Sequence, residues 1–259
     1  GSYMELLKIS DRLRSAAGLV YKGARVADIG TDHGYLPIYL VQNGISECVY
    51  ACDVRKKPLE RAQAHISSYG LTIRLADGLC GIQKDDVDTV TICGMGGKLM
   101  KDIIEAGKDR LSNGMQLILS PQSEVREFRA YLLENGIDIL SEMMIKDEGK
   151  YYFIMDCVYH DMAEGAVYNN NTHLQGKNAA EYTEEELRYG RYLIDNHSEV
   201  LKEYLDKEYG SFISIQKSLK EQNVKKPSAA IEKRLQELEA DIEYNRKAEL
   251  SCCAQDAQK

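Results

Sequence analysis

From about residue 24 to 159 the chain alternates short β-branched, apolar runs with amphipathic stretches. The strand-like runs are "ARVADIG", "ECVYACDV", "LTIRLAD", "VDTVTIC" and "MQLILS". Between them, "LPIYLVQNG", "KPLERAQAHISSYG", "GKLMKDIIEAG" and "EVREFRAYLLENG" read as helices closed by glycine, where a helix terminus favours left-handed backbone. Five such alternations predict a parallel sheet with crossover helices. The stretch "IDILSEMMIKDEGKYYFIMDCVY" breaks the rhythm. Two strand-like runs separated only by "KDEGK" make a hairpin, so the last strand runs antiparallel to its neighbour. Ahead of the sheet, "MELLKISDRLRSAAGLV" places Leu6, Ile9, Leu13, Ala16 and Val20 at steps of three and four. That predicts one apolar helix face, with Lys8 and Arg12 a turn apart beside it.

After Tyr159 the periodicity lapses, and "HDMAEGAVYNNNTHLQGKNAAEYT" reads as a linker. Beyond it, Leu201, Leu205, Glu208, Phe212, Ile215 and Leu219 step by fours and threes, as do Ile231, Leu235, Leu238, Ile242 and Asn245. Between the two series "KKPSAA" supplies a proline and a serine N-cap, so the helices fold back as an antiparallel hairpin. The expected division is a catalytic domain over 1–160 and a linker with helical hairpin over 161–259. The expected architecture is α/β: a Rossmann-like sheet closed by its own β-hairpin, which resembles that of class I methyltransferases, with a C-terminal coiled-coil hairpin.

Composition adds little to this: 259 residues, 44% hydrophobic and 29% charged, are ordinary for a soluble globular chain. The net charge of -8 argues against nucleic-acid binding by bulk electrostatics but leaves room for a local basic patch. Residues 1–61 carry nine Lys/Arg against seven Asp/Glu, so the acidity lies downstream. Seven scattered cysteines without a CxxC pair suggest neither a disulfide framework nor a metal site. No apolar run approaches bilayer length and no secretory leader pattern opens the chain, so a cytoplasmic protein without a membrane partner is expected.

The chemistry concentrates at the strand ends. "DIGTDHGYLP" (28–37) is a strand, a glycine turn and a helix start, which leaves backbone N–H groups free for a ligand. Asp53 ends the second strand, where a carboxylate can accept from both ribose hydroxyls. Asp77 in "ADG" follows the third strand, in reach of an adenine amino group, and "CGMGG" follows the fourth. Each of these is by itself as well explained by a turn or a helix start; together they indicate a nucleoside-containing cofactor. Asp32 stands where a dinucleotide fingerprint has its middle glycine, and a pyrophosphate would be repelled there. The sulfonium and amino group of S-adenosylmethionine would not.

With "ISDRL", "DIGTDHGYLP", "ADGL", "GMGG" and "LILSPQS" in this order, ahead of a helical hairpin, the chain resembles the bacterial tRNA adenine-N1 methyltransferases that modify adenosine 22, the TrmK family. The resemblance implies a Rossmann-like catalytic domain, S-adenosylmethionine as donor and tRNA as acceptor, with no metal. It implies a cofactor site of Asp28, Gly30, Asp32, Gly34, Tyr35, Leu36, Pro37, Asp53, Asp77, Gly78 and Leu79, with Gly94, Met95 and Gly96 bordering the methyl-transfer pocket. The family's "LQPN" stands here as "LSPQ", which leaves Gln122 without an assigned role. Adenine N1 already has a lone pair, so attack needs no base, and the ring becomes cationic. A carboxylate near the exocyclic amine would stabilise that charge, which makes Asp32 or a neighbour in the turn the expected catalytic group. His33 either orients it or faces the core, and Tyr35, Tyr39 or Met95 either stacks on the extruded base or packs the helix. Lys8, Arg12, Arg55, Lys56 and Lys57 are the expected RNA contacts, and a monomer is the expected state. Two other readings share these features: a methyltransferase acting on a small molecule or protein, and a non-catalytic tRNA-binding module on the same scaffold.

Overall fold

The computed structural model describes residues 5–162 and 181–254. Most of the stretch read as a linker, 163–180, lies outside the described residues. The chain divides into two compact units, Gly1–Glu181 and Tyr182–Lys259. Among the described residues no helix is long and apolar enough to cross a membrane.

The first unit is built on seven strands: β1 (Arg25–Ile29), β2 (Cys48–Cys52), β3 (Arg74–Ala76), β4 (Thr89–Met95), β5 (Gln116–Pro121), β6 (Ile137–Asp147) and β7 (Lys150–Tyr159). They lie in the order β3-β2-β1-β4-β5-β7-β6. The pairs among β1 to β5 are parallel, and β7 runs antiparallel to both β5 and β6. The helices are α1 (Asp11–Ala17), α2 (Tyr35–Gln42), α3 (Lys56–Ser68), α4 (Gly97–Ala106) and α5 (Val125–Glu134). From β1 the chain steps outward through α2 and α3 to β2 and β3, then returns to β4 and steps the other way through α4 to β5. Right-handed crossovers in opposite directions put α2 and α3 on one face and α4 on the other. The switch point between β1 and β4 therefore opens a crevice at the sheet's C-terminal edge.

The core follows from the parallel pairing. Val26, Leu36, Leu40, Val49, Ile118 and Ile154 form one buried cluster with Ala16 and Ala17 of α1, and Ile38, Ala51, Ala62 and Ile66 form a second between α2, β2 and α3. Strands buried on both faces need such continuous apolar runs. The "LTIRLAD" run contributes only the three residues of β3, an edge strand.

Two expectations about helices are corrected. The N-terminal helix starts at Asp11 rather than near Met4, because the Ser10 side chain caps it by accepting from the Leu13 N–H. Leu6 is consequently exposed, and Lys8 shares no helix with Arg12. In the second unit α8 (Glu199–Lys225) and α9 (Ala229–Cys253) pair, with Ser228 capping α9 as its position implied. Its seam passes through Gln216, half-buried, and leaves Ile215 exposed. Steps of three and four are both allowed locally, and the position of the facing helix selects between them. The short helices α6 (Glu184–Tyr189) and α7 (Arg191–Asp195) pack on α9 and were not anticipated. Their sequence signal is the capping box Thr183–Glu186, in which each side chain accepts from the other residue's backbone N–H.

Candidate active site

The turn after β1 is tied to the end of β2: the N–H groups of Gly30 and Thr31 both donate to the Cys52 carbonyl, at 2.8 and 3.0 Å. Asp53 in turn donates its N–H to Ala76 of β3, 3.2 Å away. These bonds hold three strand ends in one row. Asp28, 5% exposed, lies beneath the turn and accepts from the Thr91 hydroxyl of β4 at 2.7 Å. Burial raises its pKa to about 7, against the pull of the Thr91 bond and with a further push from Asp53. Burial and the Asp28 charge likewise push the Cys93 thiol, at the end of β4, up to about 12, so it stays protonated.

Glycine is required at several points of this row. Gly30 has φ +76°, and a β-carbon there would overlap the Met95 methyl group. At Gly94, φ is +119° in the irregular pairing between β4 and β5, which a side chain adopts only under strain. The result is a backbone-lined edge that a flat or extended ligand can approach closely. Gly78, φ +72°, sits against Val54, an exposed apolar residue that offers a face to a planar base.

The expected site residues distribute unevenly around this edge. The backbone of Gly30, Gly34, Gly94, Met95 and Gly96 and the carboxylates of Asp28 and Asp53 come together on neighbouring strand ends, with Asp77 exposed at the outer end of the row. Leu36 and Pro37 are buried in the packing of α2, so their side chains serve the core. Leu79 is also buried, packed where Gly107 leaves room for it. Asp53 is almost wholly buried, and the Arg55 guanidinium covers it, Nε to Oδ1 and Nη2 to Oδ2 both at 3.2 Å. Arg55, expected to face RNA, is therefore engaged within the site.

Asp32 has φ +49° and its carboxylate accepts from Arg61 of α3 at 2.8 Å. His33 Nε2 lies 3.8 Å from the same carboxylate, and the His33 carbonyl is 2.6 Å from Nδ1 of His65. Tyr35, 40% exposed, meets both His33 and His65 edge or face. The turn is thus clamped by α3 through Arg61 and His65, two residues that spacing alone could not bring to it. Lys8, Lys56 and Lys57 are exposed, with Lys56 only loosely paired to Glu60 at 4.0 Å.

A seven-strand sheet in this order, with a glycine-lined edge and two buried carboxylates, Asp28 in β1 and Asp53 just beyond β2, defines the methyltransferase class. Residues 9–155 match the family model described as "Methyltransferase domain". The chain is 36% identical over 156 residues to the tRNA (adenine(22)-N(1))-methyltransferase of Bacillus subtilis, an alignment covering 59% of this chain and 66% of that relative, just short of two thirds of its length. The crystal structure of the B. subtilis M1A22 tRNA methyltransferase TrmK superposes with a TM-score of 0.76 at 29% identity, covering 95% of this chain and all of that one, 100%. TrmK of M. capricolum, in complex with S-adenosyl-homocysteine, superposes with a TM-score of 0.73 at 26% identity, covering 96% and 100%. The chain belongs to the methyltransferase-domain family, and within that family its likeness is to TrmK.

Proposed function

We propose that the protein transfers a methyl group from S-adenosylmethionine to N1 of adenosine 22 in tRNA. The observation that carries this reading is the glycine-lined edge with Asp28 and Asp53 in a chain so similar to TrmK along its whole length. S-adenosylmethionine, when bound, supplies the electrophilic methyl group. The chain's own residues do the rest. Asp53 accepts from the ribose hydroxyls once Arg55 swings outward, an easy motion for a side chain that is 65% exposed. Asp77 and the exposed Val54 hold the adenine, one by its amino group and one by its face. The backbone at Gly30, Gly34 and Gly94 to Gly96 admits the amino-acid end, and the buried carboxyl of Asp28 supports that wall.

The acceptor adenine needs no deprotonation, so the site has to position and desolvate rather than act as a base. Tyr35 and Met95 are the side chains placed to stack on an extruded ring, whereas Tyr39 packs against the core cluster. RNA recognition draws on the second unit as well. Residues 211–235, the tip of the α8–α9 hairpin, carry six Lys/Arg and two Asp/Glu, whereas 182–210 and 236–254 together carry six and thirteen. The basic residues at the tip, Lys217, Lys220, Lys225, Lys226 and Lys233, are exposed. A hairpin acidic at its base and basic at its tip suits a contact to a phosphate backbone.

Incubation of unmodified tRNA with the protein and S-adenosylmethionine, followed by nucleoside mass spectrometry, tests the reading. We expect 1-methyladenosine, abolished when A22 is replaced by guanosine. Methylation of a protein or small molecule with no tRNA turnover would replace this reading, and cofactor binding without any turnover would leave a binding module.

A further inference from the structure

Arg12 does not behave as a surface contact for RNA. It lies in the first turn of α1, its backbone N–H 3.4 Å from Asp147 Oδ2, and its guanidinium stacks over the Tyr152 ring at 4.9 Å from the centroid. Its Nη1 is buried and has no hydrogen-bond partner among the described residues. That nitrogen faces the active-site edge: a β-carbon on Gly94 would stand 3.9 Å from it. Its charge also acts on the Cys93 thiol at the same strand end, pulling down a pKa that burial raises.

A buried cationic donor without an acceptor is rare in folded proteins and calls for an anion that completes it. Two anions could come to this edge, the carboxylate of the cofactor's amino-acid end or a phosphate of the RNA. A phosphate backbone meets cations that reach outward, as Lys8 and Lys56 do; it does not reach an atom enclosed between a tyrosine ring and a strand end. The other ionisable groups along the edge favour the small ligand. Asp28, Asp53 and Asp77 are carboxyl groups, Arg55 is engaged by Asp53, and Arg61 by Asp32. Among the described residues, a carboxylate entering beside Gly94 meets the Arg12 guanidinium, whose Nη1 has no partner, and the planar fork of arginine matches a carboxylate with two parallel bonds.

We infer that Arg12 binds the carboxylate of the amino-acid end of S-adenosylmethionine, so that the helix preceding the sheet is part of the cofactor site. The inference rests on the function proposed above and assigns Arg12 to the donor rather than to the RNA. Gly94 is the second half of the device: its φ of +119° disfavours any side chain, and the bare backbone leaves the approach to the guanidinium open. The Tyr152 face fixes the fork's plane and keeps water from its other side.

Titration calorimetry on the full-length protein tests this with three probes: S-adenosylhomocysteine, decarboxylated S-adenosylmethionine and methylthioadenosine. Arg12→Met should weaken S-adenosylhomocysteine by about tenfold or more, the loss of a charge-assisted pair, and leave the two carboxylate-free probes within about twofold. Arg12→Lys, which keeps the charge and the fold but loses the fork, should fall between. Affinity for tRNA, measured by filter binding, should not change. An equal loss for all three probes in both variants would make Arg12 a structural residue and overturn the inference. Unchanged cofactor affinity with weakened tRNA binding would return it to the RNA and overturn it too. If the wild-type protein bound none of the probes, the proposed function itself would fall, and this assignment with it.

Discussion

Asp53 and Arg55 show how one pair of residues can carry two opposite expectations. The carboxylate is buried and the guanidinium is mostly exposed, so the pair holds Asp53 desolvated until a ligand replaces Arg55. Asp53→Ala should weaken S-adenosylmethionine by about 1–3 kcal/mol in a calorimetric titration, because hydrogen bonds to a charged group are lost. Arg55→Ala should do the reverse and tighten it by up to about 1 kcal/mol, the upper range for an exposed ion pair, since nothing then competes for the carboxylate. Asp32 is the residue expected to stabilise charge in the transition state; its carboxylate accepts from Arg61, on a left-handed backbone that aspartate and asparagine tolerate best. Asp32→Asn keeps that conformation, so we expect kcat within about threefold of wild type; a loss of about tenfold or more would restore the catalytic role. Asp28 sets a pH dependence. Its folded pKa of about 7 lies above the ordinary carboxyl value of 3.8, so the folded state holds the proton more tightly. Stability from this group is greatest below about pH 4 and falls as pH rises toward 7, by at most about 1.4 kcal/mol per pH unit. Urea melts of wild type and Asp28→Asn between pH 5 and 8 should differ in slope, with the asparagine variant flatter.

Among the elements, the closing hairpin was the most legible. Glu148 and Gly149, both at positive φ, form its two-residue turn inside the quoted "KDEGK". What the local pattern could not express is that β7 inserts between β5 and β6, leaving β6 at the edge. That choice depends on burial: β7 puts Phe153, Ile154, Met155 and Cys157 into the interior, whereas β6 exposes Leu140. The insertion creates a buried ion pair with no sequence signal. Arg129 of α5 and Glu142 of β6 meet at 2.8 Å with neither side chain exposed, and the guanidinium lies over Phe153. Arg129→Met should destabilise the protein by about 3–5 kcal/mol in chemical melts, because Glu142 is left charged and buried. The double variant with Glu142→Leu should recover most of that loss. In the second unit Asn245 plays a comparable part at a fully buried seam position, donating to the Leu205 carbonyl and to Glu208 at 3.1 and 3.0 Å. One buried amide of this kind fixes the register of two facing helices.

For the molecule as a whole, the charge distribution matters more than the net charge of -8. The acidic total describes the bulk of the surface, while the hairpin tip is locally basic. Reversing Lys225, Lys226 and Lys233 to glutamate should leave S-adenosylmethionine affinity unchanged, weaken tRNA binding by about tenfold or more, and reduce its dependence on salt. Unaltered tRNA affinity in a filter-binding titration would make the hairpin a stability element instead. The sequence by itself determined the alternation of strands and helices, the antiparallel closure, the helical hairpin and the positions where glycine and aspartate end the strands. These are local properties, set by hydrophobic period, caps and turn backbone, and they are readable wherever neighbours in sequence are neighbours in space. The tertiary structure alone decided the strand order, the pairing of Arg55 with Asp53 and of Arg61 with Asp32, and the enclosure of Arg12 beside Gly94. Each of these joins residues that are charged or polar in an unremarkable local setting, and their meaning depends on which partners the folded chain brings within reach and how far water is excluded from them.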